Sequence, residues 1–364
     1  MNRIDRNHVE IIYSQKSNKK ENARIAVYFE VGAYDDGESS GAAHFLEHML
    51  VMGLNDYPIY SNNKIVVSAT TDLFSTIYYI ECMNTQIEIC KALEVVKLLI
   101  SGKTLNAFYM ELVREDVVKE YGLYTSQISK QPKCMLYNQL NLPINLPIGN
   151  LNIIKSIKYE DIINFFNKYY TTCKKKIVIV GKYVEKNMKC YRLKESTYMK
   201  NCVKLLKTSN VNKYVFQSQE YLYLAWGNLL LLNCSIEKLE VIQIAFLIIA
   251  KKYYNDIASS FEICSYERGG IFFLLKMRKA DALYNVSKFV NDIIIRLNDK
   301  LFFIAKKVYY HQRIKQKKRV IGELKDILFA IKNEIQINDK EMIKEILKNY
   351  GYSEFMVILK QIFN

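Results

Sequence analysis

The stretch "RIAVYFEVGA" (24 to 33) alternates among β-favouring residues and ends near Gly32, which predicts a strand with a turn after it. Residues 41 to 52 change to apolar helix formers, and a helix is expected there. "STIYYIECM" (75 to 83) reads as a second strand. A helix follows from Asn84 or Thr85, where Thr85 and Glu88 stand at capping-box spacing. Further helices are expected over about 104 to 121 and 158 to 170, and "KIVIVG" (176 to 181) closes the series as a buried strand.

The second half repeats that order without repeating the letters. Strands are expected at 221 to 227, 270 to 277 and, in "FMVIL", 355 to 359. Helices are expected at 236 to 256, near 280 to 298, and at 301 to 320 and 339 to 349. The Lys- and Asn-rich piece 182 to 219 separates the halves as a linker region. The expected fold is α+β: two tandem related α/β halves, each a mostly antiparallel sheet with helices packed on it, spanning 1–205 and 206–364.

A chain of 364 residues, half of them apolar, can bury two cores of ordinary size. The formal charge is +15, from 52 Lys plus Arg against 37 Asp plus Glu. A nucleic-acid or membrane-surface protein would fit that charge, but Lys, Asn, Ile and Tyr rise together, as in a drift of overall composition. The densest basic run, 306 to 319, reads as a helix with its charges in water, so no nucleic-acid partner is expected. The 8 cysteines form no CxxC pair and no framework spacing, consistent with free thiols in a reducing compartment. No apolar run reaches the roughly 18 residues of a transmembrane segment. Residues 1 to 10 lack both a secretory signal and a clear cleavable presequence.

Chemistry concentrates in "GAAHFLEHML" (41 to 50). His44 and His48 are four apart, so a helix stacks them on one face, close enough to share a tetrahedral ion. Glu47 stands on the neighbouring edge, placed to reach a water rather than the ion. Zinc beside a carboxylate suits hydrolysis, because the metal lowers the pKa of water and the carboxylate takes its proton. One histidine on an apolar helix face is most often a satisfied core residue; a pair with an adjacent Glu is a much narrower coincidence. His8 and His311 read as surface residues.

"AVYFEVGAYDDGESSGAAHFLEHMLVMG", with its inverted H-x-x-E-H order, resembles the metal-site region of the pitrilysin and insulinase family of zinc peptidases. "SATTDLFSTIYYIE" (68 to 81) is similar to that family's strand beside the substrate, and 148 to 170 to its Ile-containing segment and following helix. The resemblance covers about 10 to 185 well, and beyond 215 mainly by element order. Within the family it points to the β-type, catalytic subunits of the mitochondrial processing peptidases.

The resemblance implies a zinc metalloendopeptidase that cleaves targeting presequences, with a non-catalytic α-type partner subunit. It places the chain in a mitochondrial matrix or a remnant organelle (mitosome). It further implies Zn2+ held by His44, His48 and Glu120, which lies 72 residues past His48, and Glu47 as the catalytic base. Ser68 and Ala69 fall at the substrate strand, with Ser68 where the family typically has Asn.

Three departures bear on activity. The family's glutamate two helical turns before the third ligand is Val113 here, and Asp116, one turn before Glu120, is the candidate to support the metal site in its place. Between Tyr121 and Tyr159 there is no Asp or Glu, but Lys130 and Lys133; the arginine of a presequence would meet like charge there. In the second half "SYERGGIFFLL" offers Arg268 with Phe272 and Phe273, and no substrate clamp can be carried over. The rival expectation is a non-catalytic scaffold subunit like the core proteins of the bc1 complex, which resemble these peptidases and have commonly lost the metal motif.

Overall fold

Among the described residues ten strands form two sheets, and each sheet anchors one of two compact units into which the chain divides. The computed structural model describes residues 2–6, 9–15, 21–61, 64–128, 147–183, 212–217, 221–227, 229, 234–253, 258–265, 271–278, 286–336 and 338–363. The expected linker 182 to 219 lies mostly outside these, as do Lys130, Lys133, Arg268 and His8. Its 212 to 217 portion is a strand rather than a linker.

The first unit carries strands β1 (Asn2–Arg6), β2 (Val9–Gln15), β3 (Ala23–Phe29), β4 (Val66–Thr71), β5 (Thr76–Cys82) and β6 (Lys175–Gly181) in the order β1-β2-β6-β3-β5-β4. β2 and β6 pair in parallel and the other neighbours antiparallel. Because side chains alternate across a sheet, Ile25, Val27 and Phe29 of β3 join Ile177 and Ile179 of β6 and Tyr78 and Ile80 of β5 on one face. Against it pack α1 (Ala42–Met52), α2 (Gln86–Ser101), α3 (Met110–Ile128), α4 (Leu151–Ser156) and α5 (Tyr159–Phe165), the last continued by a π turn over 166–170. Thr85 caps α2 as its spacing predicts, accepting from the Glu88 amide. β4 closes the sheet as an edge strand, and its residues alternate between exposed and half-buried.

The second unit has an antiparallel sheet of β7 (Asn212–Gln217), β8 (Tyr221–Gly227), β9 (Ala258–Ser265) and β10 (Ile271–Arg278), ordered β7-β8-β10-β9. Trp226, Phe261 and Phe273 meet Phe246 of α6 (Ile236–Tyr253) in its core. Helices α7 (Val286–Arg296), α8 (Asp299–Lys317), α9 (Val320–Asn333), α10 (Lys340–Asn349) and α11 (Tyr352–Phe363) complete the chain. The expected strand 355 to 359 is the middle of α11, which buries Phe355, Ile358, Leu359 and Ile362 at helical spacing. α9 was not expected as a separate helix, and its residues up to Ile327, with Lys318 and Arg319 before them, belong to the first unit.

Candidate metal centre

α1 begins where the backbone needs a glycine. Gly41 has φ +102°, and Gly149, at φ +82°, approaches it so closely that a Cβ on Gly149 would lie 2.4 Å from the Gly41 Cα. Asn150 N donates to Ser40 O beside this contact. Gly41 has no side chain with which to cap the helix, and Asp36 does so from a distance: its Oδ2 accepts from Gly41 N at 2.7 Å and its Oδ1 from Ala43 N at 2.8 Å. Burial pushes the Asp36 carboxyl up to about 7, against the pull of those two amides.

α3 is tied to the same region by Arg114. Its guanidinium donates to the carbonyls of Ile154 and Ile157, which α4 leaves without helical partners at its end, and lies over the Phe45 ring of α1. Val113 and Val117 are buried in the core, which turns Glu120 toward α1.

The three residues expected to bind metal converge. His44 Nε2 and His48 Nε2 are 3.2 Å apart, and Glu120 Oε2 lies 3.5 Å from the first and 3.2 Å from the second. Two nitrogens and an oxygen at about 2.0–2.1 Å from one tetrahedral ion are about 3.3 Å from each other. The triangle therefore has the dimensions of one face of a zinc coordination tetrahedron, and the His-His-Glu donor set suits zinc. His44 is buried, with its Nδ1 lacking a hydrogen-bond partner among the described residues, while the Glu120 side chain is half exposed.

Charge is concentrated around these atoms. Hydrogen bonds from His44 and His48 hold the Glu120 carboxyl well below the usual carboxylate range, against partial burial. Burial disfavours a charged His48, yet the Glu120 hydrogen bond and the charges of Glu47, Glu120 and Asp116 outweigh it and raise its pKa. Glu47 is buried, and burial raises its carboxyl even though the two histidines and a 2.6 Å hydrogen bond from Thr71 Oγ1 oppose that rise.

All four side chains line one cavity of about 540 Å3, with Val51, Met52, Tyr60, Ala69, Thr70, Thr71 and Ile148 among its other walls. Ala69 is thus on the cavity, whereas Ser68 is exposed and opposite Tyr79 in the β4–β5 ladder. Asp116 faces Lys119 at 3.8 Å on the outer side of α3, and acts on His48 through charge alone. Two residues that sequence reasoning passed over, Thr71 and Asp36, hold the base and the helix start. Thr71 lay inside the quoted "SATTDLFSTIYYIE", but nothing local marked its hydroxyl as pointing at Glu47.

Residues 11–141 match Insulinase (Peptidase family M16). That segment includes both histidines, Glu47 and Glu120. "Probable zinc protease PqqL" of Haemophilus influenzae is 23% identical over 193 residues, covering 48% of this chain. A "Probable mitochondrial-processing peptidase subunit beta, mitochondrial" of Arabidopsis thaliana is 23% identical over 172 residues, covering 44%. These matches span 20% and 32% of the relatives' own length.

Solved structures share the fold: a protease from Helicobacter pylori aligns over 100% of this chain and 96% of its own, with TM-score 0.74 and 16% identity. A "peptidase M16 inactive domain" from Pseudomonas fluorescens aligns as well, over 98% of this chain and 92% of its own, with TM-score 0.72 and 10% identity. The fold is therefore shared by a protein described as a protease and by one described as an inactive domain, and the side chains at the site must decide between them.

Proposed function

We propose that this chain is a zinc metalloendopeptidase of the M16 type, with zinc held by His44, His48 and Glu120 and with Glu47 as general base. The observation that carries the reading is the ligand triangle, with sides of 3.2, 3.2 and 3.5 Å, next to a buried carboxylate on the same cavity. A bound Zn2+ supplies Lewis acidity there and brings the pKa of water to about 7. Glu47 takes a proton from the water whose oxygen attacks the scissile carbonyl carbon, and delivers that proton to the leaving nitrogen as the C–N bond breaks. Burial, by raising the Glu47 carboxyl, keeps the proton transferable in both directions.

The substrate in this reading is an extended peptide laid along the outer edge of β4, whose backbone has no strand on that side among the described residues. Targeting presequences, an α-type partner subunit and a mitochondrial or mitosomal location follow from the likeness to the processing peptidase β subunit. That likeness is no nearer than the one to PqqL. With no acidic residue between Tyr121 and Tyr159, recognition of a presequence arginine falls to another surface or to the partner. Val51, Met52 and Ile148 on the cavity favour apolar side chains beside the scissile bond.

The test is zinc content and peptide cleavage for the wild type and Glu47→Gln, alone and with candidate α-type subunits. The variant is expected to keep its zinc and lose about 10²- to 10⁴-fold in turnover. Equal cleavage by the variant would remove Glu47 from the mechanism. A wild type that binds zinc and cuts no peptide in any pairing would leave the scaffold subunit as the reading.

A further inference from the structure

Behind Glu47 runs a row of hydroxyl groups that the proposed chemistry does not use. The register of the β4–β5 hairpin places Thr71 directly opposite Thr76, and their Oγ1 atoms are 3.3 Å apart. The Thr76 hydroxyl, fully buried, donates to Val31 O at 3.0 Å, two residues past the end of β3. Farther into the core stand Tyr170 and Tyr78, also fully buried.

Each threonine hydroxyl has one proton to give. Thr76 gives its own to Val31 and Thr71 gives its own to Glu47 Oε2 at 2.6 Å, so no proton is left for the 3.3 Å approach of the two Oγ1 atoms, which is a packing contact. Thr71 is the one hydrogen-bond donor to Glu47 among the described residues, and Oε1 receives none.

We infer that Thr71, held at its place in the β4–β5 register opposite Thr76, is a positioning residue for Glu47: it fixes Oε2 against β4 and leaves Oε1 as the oxygen presented to the cavity. A carboxylate on a flexible stem has two free side-chain torsions beyond its first and would otherwise sample orientations that turn both oxygens away. The hairpin supplies the constraint. The loop between β4 and β5 is itself fastened, since Asp72 N donates to Ser75 O, and Ala33 N and Tyr34 N donate to Asp72 O and Leu73 O. Gly32 permits that approach, because a Cβ there would lie 2.5 Å from Asp72 O. The tip of the substrate strand and the orientation of the base are in this way set by one rigid turn.

The inference rests on the proposed peptidase reading and can fail separately from it. Thr71→Val keeps the shape and strand preference and removes the hydroxyl; Thr71→Ser keeps the hydroxyl. The expected result is a fall of about 10- to 100-fold in kcat for Thr71→Val, the rate equivalent of a hydrogen bond to a charged group. KM and zinc content should be unchanged, and Thr71→Ser should recover most of the loss. A crystal structure of Thr71→Val, which needs no turnover, should show the Glu47 carboxylate rotated from its wild-type position. An unmoved carboxylate, an unchanged kcat in a wild-type background that cleaves, or a loss that Thr71→Ser fails to recover would each overturn the inference. Should the wild type prove inactive, the peptidase reading falls and the Glu47 position in the crystal still decides the role of Thr71.

Discussion

Asp36 receives two backbone amides on its two oxygens at the start of α1, so Asp36→Asn would turn an NH2 group toward one of those donors. The loss is expected at about 1–3 kcal/mol in urea unfolding, the range for stranding a buried polar group. Its pH dependence has a definite sign. Burial raises the folded pKa to about 7 from 3.8. Protonated Asp36 contributes fully below about pH 3.8, and that contribution declines as pH rises through 7, because the folded chain then has to give up a proton it had retained. The gap between wild type and Asp36→Asn should accordingly be wider at pH 5 than at pH 8. A gap that widens with pH would reverse the assignment. At this scale the sequence was informative where chemistry is local: His44, Glu47 and His48 share one helix, and spacing alone puts them together. Glu120 needed the family resemblance, and Asp36 and Thr71 were not visible, because hydrogen bonds across a turn and between a strand and a helix leave no periodic trace.

The start of α1 is also set by an element-to-element contact, and two glycines with positive φ separate its causes. Gly37 has φ +57° and open space around its Cα, whereas Gly149 has φ +82° and lies against Gly41. Gly37→Ala is expected to lose about 1 kcal/mol from backbone strain alone. Gly149→Ala adds overlap with backbone that cannot rotate away, and should lose about 1–3 kcal/mol more together with a weakened zinc affinity, as α1 is pushed from the 148–150 segment. Denaturant midpoints and a zinc titration on the two variants check this; equal losses would mean that the close approach does not matter. The strand expected at 355 to 359 shows the opposite kind of error. Adjacent apolar residues favoured β, but Val357 is 56% exposed while Phe355, Ile358, Leu359 and Ile362 are buried, a 3.6-residue period that outweighs the residue preferences. Strand β5, by contrast, was legible from its β-favouring residues, whereas β4 was reached only through the likeness to the family's substrate strand.

Across the whole chain, the repeated order of strands and helices foretold two sheets with helices on them, and the sheets differ in a way the order did not show: among the described residues only the first contains a parallel pair, β2 with β6. The assignment of Lys318–Ile327 to the first unit was equally hidden, since it depends on Ser14 donating to Glu323 and Val320 N to Glu21 across some three hundred residues of chain. The proposed zinc ligands all belong to that first unit, and the chain's single tryptophan, Trp226, is buried in the second. Ion binding at 100 times its Kd stabilises the state that holds it by about 2.7 kcal/mol. Chelation should therefore lower the calorimetric transition of the first unit by about 5–10 °C, with a smaller movement of the Trp226 fluorescence midpoint. Glu47→Gln should retain the zinc-dependent rise, since Glu47 is not a ligand in the proposed site. His48→Ala should abolish it, because two of the three donors define no face for a tetrahedral ion. A rise that survives His48→Ala would mean that the stabilising ion sits elsewhere, and the match between the 3.2–3.5 Å triangle and zinc would then be a coincidence of three polar groups pairing with one another.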